Sequence, residues 1–326
     1  MFGSFFQLPV GLLAALCLLG GPPSVSARPT PAADSTLLVL AAASLTDVLP
    51  RVAQRWTESG GLPIRFSFDA TSRLAPQTLQ GTPADLFFSA DQRWMDWVSE
   101  REGAREETRT ELLGNEMVAV VPRDGNVDIS NPLELGLEGV RHIALAGENV
   151  PAGRYAQAAL EALGIWEQVA DRVVRAGNVR GALEWVALGE AEVGVVYKTD
   201  AMGEERVRVA FTFPQDSYPT VVYPAAVLAN APHPSSAQAF LAFCTSSEAG
   251  SVFEAAGFRV LGRAPEGALL RGSGPDGVGE APLPNPWSAI RLSFLVALAA
   301  TLAGFVPAVF LGWILARKEF FGKSVG

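Results

Sequence analysis

The chain has 326 residues, 49% of them apolar, and a formal net charge of −9. That length suits about two domains and a sizeable core, and the acidic balance disfavours nucleic acid as a partner. It does not exclude a small anion, because donors enclosed around a ligand outweigh distant surface charge.

In chain order, residues 1–27 carry the apolar run VGLLAALCLLGG and then PPSVSA, with Val25 and Ala27 as small residues ahead of a cleavage point. They predict a signal peptide, although no Lys or Arg precedes Arg28. Leu16 is too large for a lipoprotein site at Cys17, and cleavage leaves Cys244 as a lone cysteine, so no internal disulfide is expected. TLLVLAAAS reads as a buried strand that leads through Ser44 and Thr46 into an amphipathic helix, which Pro50 is expected to bend. Ser44 in that place reads as a helix cap or as a ligand hydroxyl beside unpaired N–H groups, with Thr46 supporting the turn.

LPIRFSFDA is a second strand, SRLAPQTLQ begins a helix, ADLFFSA is a short buried strand and DQRWMDWVSE is helical. This alternation predicts an α/β class with a mostly parallel sheet. NEMVAVVPR and RHIALAGE add strands, and Pro151 and Gly164 bracket a further helix. NVRGALEWVALGEAEVGVVYKTDA supplies a helix, a turn and a strand ending at Tyr197. RVRVAFTFP and TVVYPAAVLA continue the sheet, and SSAQAFLAFCTSSEAGSVFEAAGF reads as helical. Residues 264–286 form a Gly/Pro-rich linker. From Leu292 to Ala316 no charged residue occurs, which predicts one transmembrane α-helix kinked at Pro307. Arg317, Lys318 and Lys323 follow and place the C-terminus in the cytoplasm.

Four stretches, AAASLT, DATSRLA, VPAGRYA and NVRGAL, put small or hydroxyl residues where a strand turns into a helix. In open α/β sheets ligands bind beyond the carboxyl ends of strands, where helix N-termini converge. Such junctions surround a small anion with N–H and O–H donors, with Arg73 and Arg180 close by rather than as the primary counter-charge. An all-donor site favours an oxyanion that presents only acceptors over phosphate, whose proton needs an acceptor. Catalysis is not expected: His142 and His233 are the available histidines, and no G-x-S-x-G surrounds Ser44. Trp94, Trp97, Trp166 and Trp185 are expected to pack rather than to form a stacking platform.

The motifs AAASLTD, PADLFFSADQRWMDW, LLGNEMVAVVP, VPAGRYA, VRGALEWV and GVVYKTDA follow one another in that order. Over about residues 36–262 the chain resembles the periplasmic molybdate-binding proteins of ABC transporters. The resemblance implies a two-lobed, type II periplasmic-binding-protein fold that closes on its ligand by a hinge. Lobe 1 would span about 36–116 and 215–262, and lobe 2 about 117–214. The implied ligand is molybdate or tungstate, with no cofactor and no metal held as a cation. The implied contacts are the hydroxyls of Ser44 and Thr71, the backbone N–H groups of Ala152 and Val179, and the phenol of Tyr197. The implied partners are an ABC permease and its ATPase.

Thr71 stands where the family usually has Ser and brings a methyl and a stiff χ1. Asp69, two residues earlier, reads as an exposed strand-end residue, the alternative being an acceptor for a phosphate proton; Arg73 reads as solvated. The segment from Trp287 to Ser324 resembles the first transmembrane helix of a molybdate permease. Residues 287–326 are therefore expected to anchor an extracytoplasmic domain in the cytoplasmic membrane, as a tethered receptor or as part of a receptor–permease fusion. The alternative functions are a membrane-tethered oxyanion sensor and a receptor for sulfate or phosphate.

Overall fold

The computed structural model describes residues 36–262. The expected signal peptide, the 264–286 linker and the 287–326 span lie outside the described residues. Among the described residues no helix is long and apolar enough to cross a membrane.

The chain begins with β1 (Leu37–Ala42), α1 (Leu49–Glu58), β2 (Ile64–Asp69), α2 (Thr71–Leu79), β3 (Leu86–Phe88), α3 (Gln92–Ser99) and β4 (Thr110–Asn115). It then builds β5 (Met117–Pro122), β6 (Ile143–Ala146), α4 (Pro151–Ala162), α5 (Trp166–Val169), β7 (Val173–Ala176), α6 (Val179–Ala187), β8 (Val193–Tyr197), α7 (Lys198–Met202) and β9 (Val207–Thr212). It finishes with β10 (Val221–Val227), α8 (Pro234–Cys244), α9 (Ser247–Ala255) and β11 (Arg259–Val260). The strands form two sheets, ordered β11-β4-β10-β3-β1-β2 and β7-β6-β8-β5-β9. We call the part around the first sheet the first lobe and the part around the other the second. The chain passes from one sheet to the other at Glu116, and returns between Thr212 and Val221.

The sheets are mixed rather than mostly parallel. β1 pairs parallel with β2 and β3, and β6 with β7 and β8, through helical crossovers. The remaining pairs, such as β10 with β3 and β4 and β5 with β8 and β9, are antiparallel. The reversal has a topological cause: β5 and β10 enter their sheets from the crossings between lobes, not from a helix laid on the same sheet. β1 (LLVLAA) and β8 (VGVVY) sit inside their sheets and are buried along nearly their whole length, which explains their unbroken apolar sequences.

α1 is fastened to the first sheet through aromatic contacts. The Trp56 ring lies 5.7 Å from both Phe240 and Phe243 of α8, and its indole N–H donates to the Leu62 carbonyl at 3.0 Å. Cys244, at the end of α8, is fully buried, and burial pushes its thiol up, away from the reactive thiolate. Trp94 and Trp97 pack edge to face, and Arg101 lies over Trp97. These indoles pack, as does Trp185 against the core.

Pro50 does not bend a helix. The chain first makes a short 3-10 turn over Ala43–Leu45, closed by the Thr46 hydroxyl donating to the Ala43 carbonyl at 2.7 Å. The α-helix starts afresh at Leu49, so Pro50 occupies its first turn, where a missing N–H breaks no intrahelical bond. The C-terminal helical stretch is two helices. Ser246 starts α9 by accepting from the Ala249 amide at 3.2 Å, and this cap interrupts what α8 began.

Candidate functional site

Six parallel-paired strands end around one small space between the lobes. It is lined by Ala42–Ser44 after β1, Ala70 and Thr71 after β2, and Ala90 after β3. From the other lobe come Val150–Ala152 after β6, Asn178 and Val179 after β7, and Tyr197 at the end of β8. The space is narrow and closely walled. All five residues expected to hold a ligand, Ser44, Thr71, Ala152, Val179 and Tyr197, line this space and are buried. Asp69, Arg73 and Arg180 do not line it. Larger surface grooves exist, such as one along Asp91, Arg93, Arg154 and Glu161, but they lack a converging set of helix starts.

The donors are arranged by local structure. Thr71, Ala152 and Val179 lie in the first turns of α2, α4 and α6, where backbone amides have no intrahelical acceptor and the helix dipole favours negative charge. α4 can start so near β6 because residue 153 is glycine: a Cβ there would overlap the Ala146 and Gly147 carbonyls. Thr71 Oγ1 accepts from the Ala90 amide at 3.1 Å, which leaves its hydrogen for another acceptor. The Tyr197 hydroxyl is buried without a hydrogen-bond partner among the described residues, and burial pushes its phenol well above the usual range, so it stays a neutral donor. Among the described residues no charged side chain lines the space.

Ser44 is not a helix cap. The 3-10 turn is entered at Ala42 with no side-chain cap, and Ser44 Oγ instead lies 3.0 Å from the Tyr223 hydroxyl. Asp69 is not a free strand end. It is half-buried, accepts from its neighbour Ala70 at 2.7 Å and from Asn178 Nδ2 at 3.2 Å, and pairs with Arg73 at 3.4 Å. Because Thr71 begins a helix, the strand alternation that would put Asp69 and Thr71 on one face does not apply. Arg73 is more than half exposed and lies over Gly177.

Three functional features escaped the sequence reading. Asn178 caps α6 by accepting from Gly181 at 3.0 Å while its amide reaches Asp69 in the other lobe; an Asn before a helix was its visible signal. Tyr223 and Asn115 stand behind Ser44 and had no local signal at all. Arg180 lies between two carboxylates, 2.6 Å from Asp47 of the first lobe and 2.7 Å from the fully buried Asp200 of the second. Burial raises the Asp200 carboxyl to about 6 despite the facing guanidinium. Burial opposes the Arg180 charge too, but the two carboxylates outweigh it and hold the guanidinium ionised.

Further bonds join the lobes. Arg154 of α4 pairs at 2.9 Å with the buried Asp91, and the Trp94 indole donates to the Asn149 carbonyl at 2.9 Å. Asp91 also caps α3 through the Trp94 amide, and burial raises its carboxyl above the ordinary value.

A family model described as bacterial extracellular solute-binding protein matches residues 37–259. The molybdate-binding protein ModA of Escherichia coli is 37% identical over 232 residues, which cover 70% of this chain and 90% of that protein. Among solved structures, the substrate-binding domain of a molybdenum ABC transporter of Clostridium difficile superposes with a TM-score of 0.57 at 28% identity, covering 69% of this chain and 99% of that one. The periplasmic molybdate-binding protein of Azotobacter vinelandii superposes with a TM-score of 0.63, covering 68% and 98%; at 23% identity it speaks for the fold alone.

Proposed function

The chain belongs to the family of bacterial extracellular solute-binding proteins, and from that premise we propose that its interlobe space binds molybdate or tungstate for import by an ABC transporter. The observation that supports this most is the donor set. Ser44, Thr71 and Tyr197 offer hydroxyls, and Ala152 and Val179 offer backbone N–H groups, around a space with no charged side chain. A tetrahedral dianion presents acceptors on every side and matches such a lining. Charge-assisted hydrogen bonds of roughly 1.5–3 kcal/mol each offset its desolvation.

On this reading the lobes enclose the anion, and the receptor presents the closed form to a permease and its ATPase. The domain works outside the cytoplasm, and the uncharged stretch 292–316 holds it at the membrane. Tethering raises its local concentration at the permease.

The test is calorimetric titration of the full chain with molybdate, tungstate, sulfate and phosphate. Molybdate or tungstate should bind in preference to phosphate, and Ser44→Ala should weaken that binding about ten- to hundredfold, the value of one charge-assisted bond. Binding of phosphate alone, or of no oxyanion, would refute the proposal. Membrane attachment is tested by fractionation: the full chain should sediment with membranes, and a chain ended before residue 287 should not.

A further inference from the structure

We infer that Asn115 is a specificity-setting positioning residue, which acts through Tyr223 to fix the direction in which the Ser44 hydroxyl points its hydrogen. The inference rests on the oxyanion reading above and extends it to residues that touch no ligand, since neither Asn115 nor Tyr223 lines the space.

The argument follows the hydrogens. Asn115 Oδ1 accepts from the Glu116 amide at 2.9 Å, which orients the side-chain amide. Its NH₂ group must therefore donate on the other side, to Thr199 Oγ1 at 2.9 Å and to the Tyr223 hydroxyl at 3.3 Å. An amide NH₂ has no lone pair to offer, so Tyr223 accepts there and keeps its own hydrogen for Ser44 Oγ, 3.0 Å away. Ser44 in turn accepts from Tyr223, and its hydrogen is left to point into the space. Asn115, Tyr223 and Ser44 are all buried, so solvent cannot supply a different arrangement. Tyr223 is held by its ring, 5.7 Å from both Phe258 and Tyr197.

The direction of this relay decides what the site accepts. With Ser44 as donor, a fully deprotonated oxyanion is satisfied, whereas a protonated oxygen placed there sets its O–H against the Ser44 hydrogen. Reversal would turn Ser44 into an acceptor and reverse that preference.

Two substitutions test it. In Asn115→Asp the carboxylate accepts from Tyr223, Tyr223 then accepts from Ser44, and Ser44 shows its lone pairs to the ligand. In Tyr223→Phe the ring packing stays and the Ser44 lone pair held by Tyr223 is freed without any added charge. The full chain and both variants are titrated with molybdate and with inorganic phosphate at neutral pH. The expected result is that the molybdate-to-phosphate affinity ratio falls at least about tenfold in each variant, the scale of one misdirected hydrogen bond to an anion. A general structural defect would weaken both anions in parallel, and the added charge of Asn115→Asp would weaken the dianion more, which is why the uncharged Tyr223→Phe is needed beside it. A fall in only one variant, or an unchanged ratio in both, overturns the inference while leaving the oxyanion reading intact. Failure of the unmodified chain to bind either anion removes the oxyanion reading itself, and the inference with it.

Discussion

The Tyr197 hydroxyl is a buried donor with nothing to donate to among the described residues. Leaving such a group unpaired costs stability. Tyr197→Phe should therefore leave the ligand-free protein as stable as before, or slightly more so, while molybdate affinity falls about ten- to hundredfold. Thermal melts without ligand and titration with it check the two halves separately. Asp200 gives a second prediction at this scale. Its carboxyl sits at about 6 in the folded chain against an ordinary value of 3.8, so between those values the folded state holds the extra proton. Stability from this group is greatest at low pH and falls as pH rises through 6, by about 1 kcal/mol between pH 5 and pH 7. Asp200→Asn should remove that slope, as read from urea unfolding midpoints at the two pH values. The stretches that hold Ser44, Thr71 and Tyr197 were visible as strand-to-helix junctions, and the family resemblance singled out these residues within them. Tyr223 and Asn115 were not, since they meet Ser44 and each other across 179 and 108 residues and no local pattern encodes that distance.

At the level of elements, Asn178 does two things: it starts α6 and ties the helix to Asp69. The two can be separated. Asn178→Asp keeps a good capping oxygen, so stability should change by only a few tenths of a kcal/mol, yet a second carboxylate then faces Asp69 and lies beside the ligand. Ligand affinity should fall by at least about tenfold as the lobes are pushed apart, which unfolding and titration together would reveal. Helix starts were legible where a proline marked them, as Pro151 does for α4, whereas the caps at Asn178 and Ser246 went unread and Ser44 caps no helix. Helix continuity was less legible: the apolar pattern runs through Thr245 and Ser246 although the cap at Ser246 starts a new helix. Pro50 misled for a related reason, since the 3-10 turn before it resets where the first turn begins.

Across the whole binding domain, lobe-to-lobe bonds lie on several sides of the ligand space: Arg154 with Asp91, Arg180 with Asp47, Asn178 with Asp69, and Trp94 with Asn149. They join the two lobes, and all but Asn178 stand outside the lining of the space. Arg154→Ala leaves the buried Asp91 carboxylate with its Trp94 amide but without its Arg154 partner. Arg154 is itself about a third exposed, so the loss is about 1–2 kcal/mol rather than that of a fully buried pair. Ligand release, followed by stopped flow, should accelerate about tenfold. The alternation of strand and helix announced the α/β class, but the antiparallel returns of β5 and β10 were hidden, because the sequence of a strand does not state which sheet it enters or from which side.

The absence of charged side chains around the ligand has one more consequence. An anion adds its whole charge to the protein unless protons are taken up with it, and among the described residues the lining holds no ionisable side chain except the already neutral Tyr197 phenol. The loaded receptor is therefore more acidic than the empty one by the whole charge of the anion, on top of a chain already at −9. Occupancy becomes an electrophoretic property, visible as a faster run toward the anode on a native gel.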